Sequence, residues 1–372
     1  MYSTWRHLPA LILKRQPIQL TFFLTRRCNA RCPFCFYLQN NDDDHNPGIL
    51  KDNNKLETSE LNLQEICRIS QSLGKLLWLA FSGGEIYLRK DLIDISRLFY
   101  KQNKPVIMLY PTNGLMPELI RERTEQILQQ CPNSVIAVKL SIDELGEAHD
   151  CLRNTPHSFE KTMKTYQLLA PLLAHYPNFE LGINTVFCAD NQHNMDALID
   201  FVASLEHIQT HSISMIRGNL KNNHFKSVDY KKYVQATERL AENIKKKKTG
   251  TYRFKGAKLK TAQDILQRRL IYRTLTEKKR QIPCYAGRTN LVLSETGEVY
   301  ACEMLSHSFG NVRDFDYDIR RVLQTEQAQH GIASIKAQQC FCSHECYFMT
   351  NILLNPTLYP ALAKIYLSQV MN

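Results

Sequence analysis

Three cysteines, Cys28, Cys32 and Cys35, follow the apolar run QLTFFLT at residues 19–25 in Cx3Cx2C spacing. Thiolates placed this way on one tight loop can ligate three irons of a cubane cluster, and no fourth cysteine lies near them. Such clusters ordinarily take four cysteine ligands. The spacing therefore leaves one iron open to a small molecule, as a catalytic metal site keeps an open position. Structural zinc is the competing reading, and it usually brings a matched second CxxC pair.

Of the twelve cysteines in 372 residues, five more gather late, at Cys284, Cys302, Cys340, Cys342 and Cys346. Cys67, Cys131, Cys151 and Cys188 stand alone and read as small buried apolar side chains. Clustering of this kind points to metal rather than to a disulfide framework. No stretch suits a bilayer: the longest uncharged run near the end, 346–363, holds two prolines, two asparagines and two threonines. The apolar patch Leu8–Leu13 meets Lys14 and Arg15 at once and has no small-residue cleavage site, which argues against a secretory signal. The expected location is the cytoplasm.

From residue 19 onward, short apolar or β-branched runs alternate with helical periodicity. The runs 19–25, 76–81, 105–110, 134–142, 179–187 and 211–216 read as strands. Helices are expected over 59–73 with Ser59 as N-cap, after Arg89, from Pro117, after Ser158, and between the last two strands. Six strand–helix units with continuously apolar strands imply a parallel α/β sheet, closed or partly closed into a (β/α)6 barrel of the TIM type, with chemistry at the C-terminal strand ends. The pattern alone also admits a doubly wound open sheet.

Beyond Gly218 the chain turns polar. Residues 245–280 carry fourteen Lys and Arg against Asp264 and Glu277, a net +12 within a whole-chain excess of +11. The barrel itself is therefore close to neutral. Near Pro283 a hairpin follows, NLVLS, a Glu-Thr-Gly-Glu turn and VYACEML. The expected organisation is a barrel over 17–220, a basic helical connector over 221–280, a small β-hairpin unit with the late cysteines over 281–350, and an apolar C-terminal helix or tail over 351–372.

The loop TRRCNARCPFCF, with aromatic Phe34 before its last cysteine, resembles the signature of the radical S-adenosylmethionine (radical SAM) superfamily. The resemblance implies that Cys28, Cys32 and Cys35 hold a [4Fe-4S] cluster whose open iron is chelated by S-adenosylmethionine. One electron, from an external donor of the flavodoxin or ferredoxin type, then cleaves the sulfonium to methionine and a 5′-deoxyadenosyl radical that abstracts a substrate hydrogen. Ser82-Gly83-Gly84-Glu85 at the second strand end is similar to the family's GGE motif, which receives the methionine ammonium, and glycines there allow close main-chain approach. By the same resemblance Phe34 lies near the adenine, Ser141, Asp143 and Asn184 are ribose candidates, and Arg217 is the candidate for the methionine carboxylate. A cap or turn role is the bland reading of each polar residue.

The late pattern, Cys284, twelve residues, Gly297, four residues, Cys302, then Cys340, Cys342 and Cys346, resembles the auxiliary-cluster extensions called SPASM and twitch domains. Five cysteines, against seven in a full SPASM set, imply one auxiliary [4Fe-4S] cluster, with Cys284, Cys302 and Cys346 as ligands and the fourth from Cys340 or Cys342. Structural zinc is again the alternative. Such a cluster implies net oxidation or cross-linking of a substrate, a peptide or a small biosynthetic intermediate. A lipid or membrane-associated substrate is the second hypothesis, from the basic run and the apolar ends 5–13 and 347–370, with peripheral contact at the inner membrane face. Modification of tRNA is the third, weakened because QRRLIYR at 267–273 comes with no nucleic-acid motif.

Overall fold

A computed structural model describes the chain apart from residues 8, 10–12, 15, 40–58, 247, 338–339 and 371–372. Most of the apolar patch expected at Leu8–Leu13 lies outside the described residues. The six expected strands form as β1 (Gln19–Thr25), β2 (Trp78–Gly83), β3 (Ile107–Thr112), β4 (Val135–Ser141), β5 (Phe179–Phe187) and β6 (Thr210–Met215). Between them run α1 (Leu63–Ser72), α2 (Leu92–Gln102), α3 (Pro117–Gln130), α4 (Gly146–Leu152), α5 (Ser158–Leu169) and α6 (Met195–Ser204). β2 and β3 begin two residues later than their apolar runs, because Leu76 and Val106 are already buried while the chain approaches the sheet.

The helix expected from Ser59 starts instead at Leu63. Asn62 is its N-cap: the Asn62 side chain accepts from the Gln64 and Glu65 amides, and the Glu65 carboxylate accepts from the Asn62 amide. This reciprocal pair satisfies amides that the first helical turn leaves without partners.

The six strands pair in parallel and in sequence order, β6-β5-β4-β3-β2-β1, with no reversal. A doubly wound sheet needs a switch point where the order reverses, so the partial-barrel reading holds. β1 shows why such strands read as unbroken apolar runs, since all seven of its residues are buried. Leu20, Phe22 and Leu24 alternate with Thr21, Phe23 and Thr25. Phe22 and Phe81 each stack edge-on against Phe99 of α2 at 6.2 Å.

The C-terminal hairpin does not stand apart. Its strands β7 (Asn290–Leu293), β8 (Glu298–Tyr300) and a third, β9 (Ser308–Asn311), which the sequence pattern did not reveal, extend the same sheet to nine strands. β7 pairs in parallel with β1, from Gln19 opposite Asn290 to Phe22 opposite Leu293. β1 thus has a hydrogen-bonded neighbour on each side.

The expected connector at 221–280 forms α7 (Tyr230–Lys245) and α8 (Ala257–Glu277), with most of the basic run in and around α8. It is more than a solvated connector: α8 buries Ala262, Ile265, Leu266, Leu270 and Ile271 and packs on α7, on α11 (Glu345–Leu353) and on α12 (Tyr359–Val370). Before them lie α9 (Ile319–Gln324) and α10 (Glu326–Lys336). No helix among the described residues is long and apolar enough to cross a membrane.

Replacing Asn62 with Ala removes the cap and is expected to cost about 1 kcal/mol. Denaturant titration checks this, as a lower midpoint at unchanged slope.

Candidate active site

Residues from all six parallel strands border one cavity of about 370 Å³, among them Thr21, Ser82, Leu109, Lys139, Asn184 and Ser214. Cys32, Phe34 and Cys35 border it from the loop that leaves β1. The cysteine loop therefore opens into the barrel at the C-terminal ends of the strands, as the sequence order requires.

That loop is held from below by close backbone contact. A Cβ on Gly83 would stand 2.3 Å from the Thr25 carbonyl oxygen, and one on Gly84 2.2 Å from that of Arg27. No side chain fits at either distance. The Gly84 and Glu85 amides donate to the Thr25 and Arg27 carbonyls at 2.7 and 2.8 Å. The glycine pair thus lets β2 close on the root of the cysteine loop, so the approach that needs them is to the chain itself. Gly83 also has φ +131°, which favours glycine.

Charge fixes the same root. Buried Glu60 accepts from the Thr25 hydroxyl and pairs with Arg27 at 3.1 Å and Arg89 at 3.8 Å. Arg89 donates to the Leu24 carbonyl at 2.8 Å. Arg26 pairs with buried Glu295 in the β7–β8 turn, and Tyr37 donates to the same carboxylate. As isolated charges in the sequence, Glu60, Arg89 and Glu295 gave no signal of this role.

Glu85 is buried and has both oxygens engaged. Oε1 accepts from the Tyr87 amide at 3.1 Å, and Oε2 from the Thr112 hydroxyl at 2.9 Å and the Asn113 amide at 2.8 Å. Burial raises its carboxyl to about 7 against the pull of these donors. Asn113, so placed, turns its side-chain amide to Asn29 at 2.7 Å and to the Cys28 sulfur at 3.8 Å.

The other expected residues separate into those at the cavity and those behind it. Phe34, Asn184, Ser214 and Arg217 line it. Phe34 packs edge-on against Phe225 at 5.9 Å, and the Ser214 hydroxyl donates to Asn184 Oδ1 at 3.1 Å. Asp143 is buried behind the wall, where it accepts from the Val186 amide at 2.8 Å and pairs with Arg153 at 3.0 Å. Arg153 also donates to the Ser141 carbonyl at 3.3 Å and to the Cys32 sulfur, and it lines the cavity. Sequence reading missed this guanidinium, since a lone arginine in a helix–loop segment carries no motif.

Arg217 already has two carboxylates, Glu345 at 3.2 Å and Glu303 at 3.3 Å, and lies 5.4 Å from the Phe36 ring centroid. Glu303 meets His344 at 3.0 Å as well. Burial alone would raise the Glu303 carboxyl, yet His344 and Arg217 hold it down at about 2. The arginine expected to face a ligand therefore also ties the end of β6 to the C-terminal unit.

The late cysteines gather at the C-terminal unit, where Tyr347 feels Cys302, Cys284 and Cys346 together. Cys284, Cys302, Cys340 and Cys342 influence one another electrostatically. Arg280 donates to the Cys340 sulfur at 3.1 Å. Cys346, in the first turn of α11, lines the barrel cavity with Cys32 and Cys35. Cys340 and Cys342 both lie near Cys284.

Burial pushes the Cys28 thiol up to about 12 and Cys342 to about 11. Desolvation disfavours a bare thiolate, and bound metal or hydrogen-bond donors reverse that. Donors are in place: the Ala30 amide reaches Cys28 Sγ at 3.4 Å, and Arg153 reaches Cys32. Among the described residues no three His, Cys, Asp or Glu side chains converge closely enough to hold a single metal ion. A cubane asks for wider spacing, since each thiolate binds a different iron.

Residues 22–202 match the family model described as the radical SAM superfamily. These residues, just under half of the chain, are a radical SAM domain. It is 28% identical over 157 residues to the antilisterial bacteriocin subtilosin biosynthesis protein AlbA of Bacillus subtilis (strain 168), covering 41% of this chain and 31% of AlbA. A GTP 3′,8-cyclase of Clostridium perfringens (strain SM101 / Type A) is 26% identical over 193 residues, 49% of this chain and 50% of that one. The chain thus spans half or less of the length of these curated relatives.

Among solved structures, hexahistidine-tagged anSMEcpe with bound AdoMet aligns at a TM-score of 0.59 and 16% identity over 94% of this chain and 95% of that one. Streptococcus suis SuiB bound to S-adenosylmethionine aligns at 0.57 and 16% over 89% and 69%. This likeness shows the fold: a radical SAM partial barrel with a small C-terminal unit.

Gly84→Ala would drive a methyl group into the Arg26 and Arg27 carbonyls. The expected loss is about 1–3 kcal/mol, the range for overpacking, together with reduced iron retention at the loop. Gly74→Ala, whose added methyl meets only Gln16 Oε1 at 3.9 Å, is expected to stay within about 0.5 kcal/mol of the parent. Thermal unfolding and iron content of both variants check the pair.

Proposed function

We propose that this radical SAM enzyme oxidises or cross-links a peptide held in the barrel cavity, with a second cluster in the C-terminal unit as electron acceptor. The observation that carries the reading is the single cavity bordered both by Cys32, Cys35 and Phe34 and by Arg217, Glu303, Glu345 and Cys346 of the C-terminal junction. A substrate in it meets residues of both cysteine groups.

In this reading Cys28, Cys32 and Cys35 hold a [4Fe-4S] cluster. With S-adenosylmethionine bound there, the pair supplies one-electron sulfonium cleavage and a carbon radical that takes a substrate hydrogen. The chain's own residues bind and orient. The main chain at Ser82 to Gly84 receives the methionine ammonium, since both Glu85 oxygens already have donors. Arg153, which touches the cysteine loop at Cys32, and Arg217, beside Phe36, both border the cavity and serve the methionine carboxylate. Phe34, Asn184 and Ser214 line the adenosine side, and Asp143 and Ser141 act through Arg153, which bonds to both. Cys284, Cys302 and Cys346, with a fourth ligand from Cys340 or Cys342, take the auxiliary cluster, and Arg280 supplies a donor to the Cys340 sulfur.

Peptide as the substrate class is supported by relatives' names: AlbA is a bacteriocin biosynthesis protein, and SuiB has been solved bound to precursor peptide SuiA. The likeness to a GTP 3′,8-cyclase supports a small-molecule substrate as the second reading. The basic run adds little support for a lipid surface, because Lys260 and Arg268 border the cavity while Arg269 and Arg273 pair with Glu238 and Glu277.

Anaerobic purification and reconstitution should give about eight irons per chain, the stoichiometry of two cubanes. Reduction by flavodoxin or dithionite with S-adenosylmethionine should release 5′-deoxyadenosine. Replacing Cys28, Cys32 and Cys35 together with Ala should leave about four irons and no 5′-deoxyadenosine, whereas replacing Cys284 and Cys302 should leave about four irons with cleavage intact. Absence of 5′-deoxyadenosine from the reduced parent enzyme would sink the catalytic reading.

A further inference from the structure

The end of the barrel cavity remote from the cysteine loop carries charge that the proposed chemistry does not use. Lys139 on β4 extends across β5 and donates to the Thr210 hydroxyl of β6. Its register partner on β5 is Gly182. A Cβ there would stand 2.5 Å from Lys139 Nζ and 2.4 Å from Thr210 Oγ1. The glycine is what leaves room for the amine.

Helix α8 brings two more cations to this end. Lys260 pairs with Asp264, which also accepts from the Tyr252 hydroxyl at 3.0 Å, and Lys260 Nζ lies 5.9 Å from the Trp78 ring centroid. Arg268 donates through Nη2 to the His211 carbonyl at 3.3 Å. Lys139, Lys260 and Arg268 thus stand around one carboxylate, Asp264, at the cavity wall. Nearby Glu180 is occupied through Oε1 by the Arg253 amide at 2.6 Å.

Among the described residues, three donors at this end of the cavity have no partner: Arg268 Nη1, Trp78 Nε1 and Thr21 Oγ1. A buried donor without an acceptor is destabilising, and an unbalanced buried charge more so. Burial, assisted by Lys260 and Arg268, holds the Lys139 ammonium down to about 7 despite Asp264 and Glu180. An acceptor carrying negative charge would relieve all of these at once.

We propose that the floor of the barrel is a binding site for an oxyanion group of the substrate, a carboxylate or a phosphate, held by Arg268, Lys139 and Lys260 with Trp78 and Thr21 as further donors. Such a group would anchor the substrate at one end. From Trp78 to Ser82 along β2, four residues at about 3.3 Å each set roughly 13 Å between floor and mouth, enough for the remainder of a small molecule or a short peptide segment to reach the cysteine loop. The inference rests on the cavity being the substrate chamber. It is tested without S-adenosylmethionine or reductant, so failure here leaves the 5′-deoxyadenosine test unaffected.

The test is titration calorimetry on the anaerobically purified full chain, with inorganic phosphate in one arm and acetate in the other, at constant ionic strength. Saturable binding of one anion per chain is expected in at least one arm, and the arm that binds identifies the group. Arg268→Gln and Lys139→Met should each weaken it by about tenfold or more, the loss typical of one charge-assisted hydrogen bond. Arg269→Gln, an exposed neighbour paired with Glu238, should bind as the parent does. Circular dichroism verifies that each variant is folded, and Lys139→Met carries the test if Arg268→Gln is not. No saturable binding in either arm, or binding that survives Lys139→Met, would show that these cations only close the barrel and would overturn the proposal.

Discussion

Everything in the molecule is arranged about β1, which is hydrogen-bonded in parallel on both sides, to β2 and to β7. The loop that leaves it inherits a position fixed from two directions. On one side Gly83 and Gly84 lie against its first carbonyls; on the other Arg26 pairs with Glu295 of the β7–β8 turn. A flexible loop would have to be ordered on binding, at about 1–2 kcal/mol of backbone entropy per residue. Here the fold orders its root beforehand, and the cysteines open onto the barrel.

The same doubly bonded strand explains why the barrel and the C-terminal unit share a chamber. Arg217 at the end of β6 spans to Glu303 and Glu345, so part of the cavity wall comes from residues more than eighty positions later. Removing either carboxylate leaves a buried guanidinium short of a counter-charge, an arrangement that is strongly destabilising.

Legibility in the sequence followed how each feature gets its signal. The six parallel strands were readable because burial on both faces makes each a continuous apolar run, and the cysteine loop was readable because metal ligation imposes spacing. β9 was not, since SFGN has no apolar pattern and pairs only through the hairpin before it. The helix start moved from Ser59 to Asn62 because two capping-competent residues stood within one turn, and the Glu65 partner decided between them. The basic run misled most. Its composition reads as a solvated face, yet Lys260 and Arg268 of α8 line the barrel cavity. Arg153, Glu60 and Glu295 show the remaining limit: a single charge has no periodicity, and only its partners in space give it meaning.

β7 also settles a matter of colloidal behaviour. A half barrel of parallel strands has two open flanks, and β1 would be the more hazardous: seven residues, all buried, with an apolar sequence and no charge or proline to blunt it. Exposed flanks of that kind recruit strands from other molecules. With β7 in register against it, the sheet ends on β9 instead, a four-residue strand containing a glycine and an asparagine and flanked by α10. The C-terminal unit therefore keeps the β1 flank from templating intermolecular pairing.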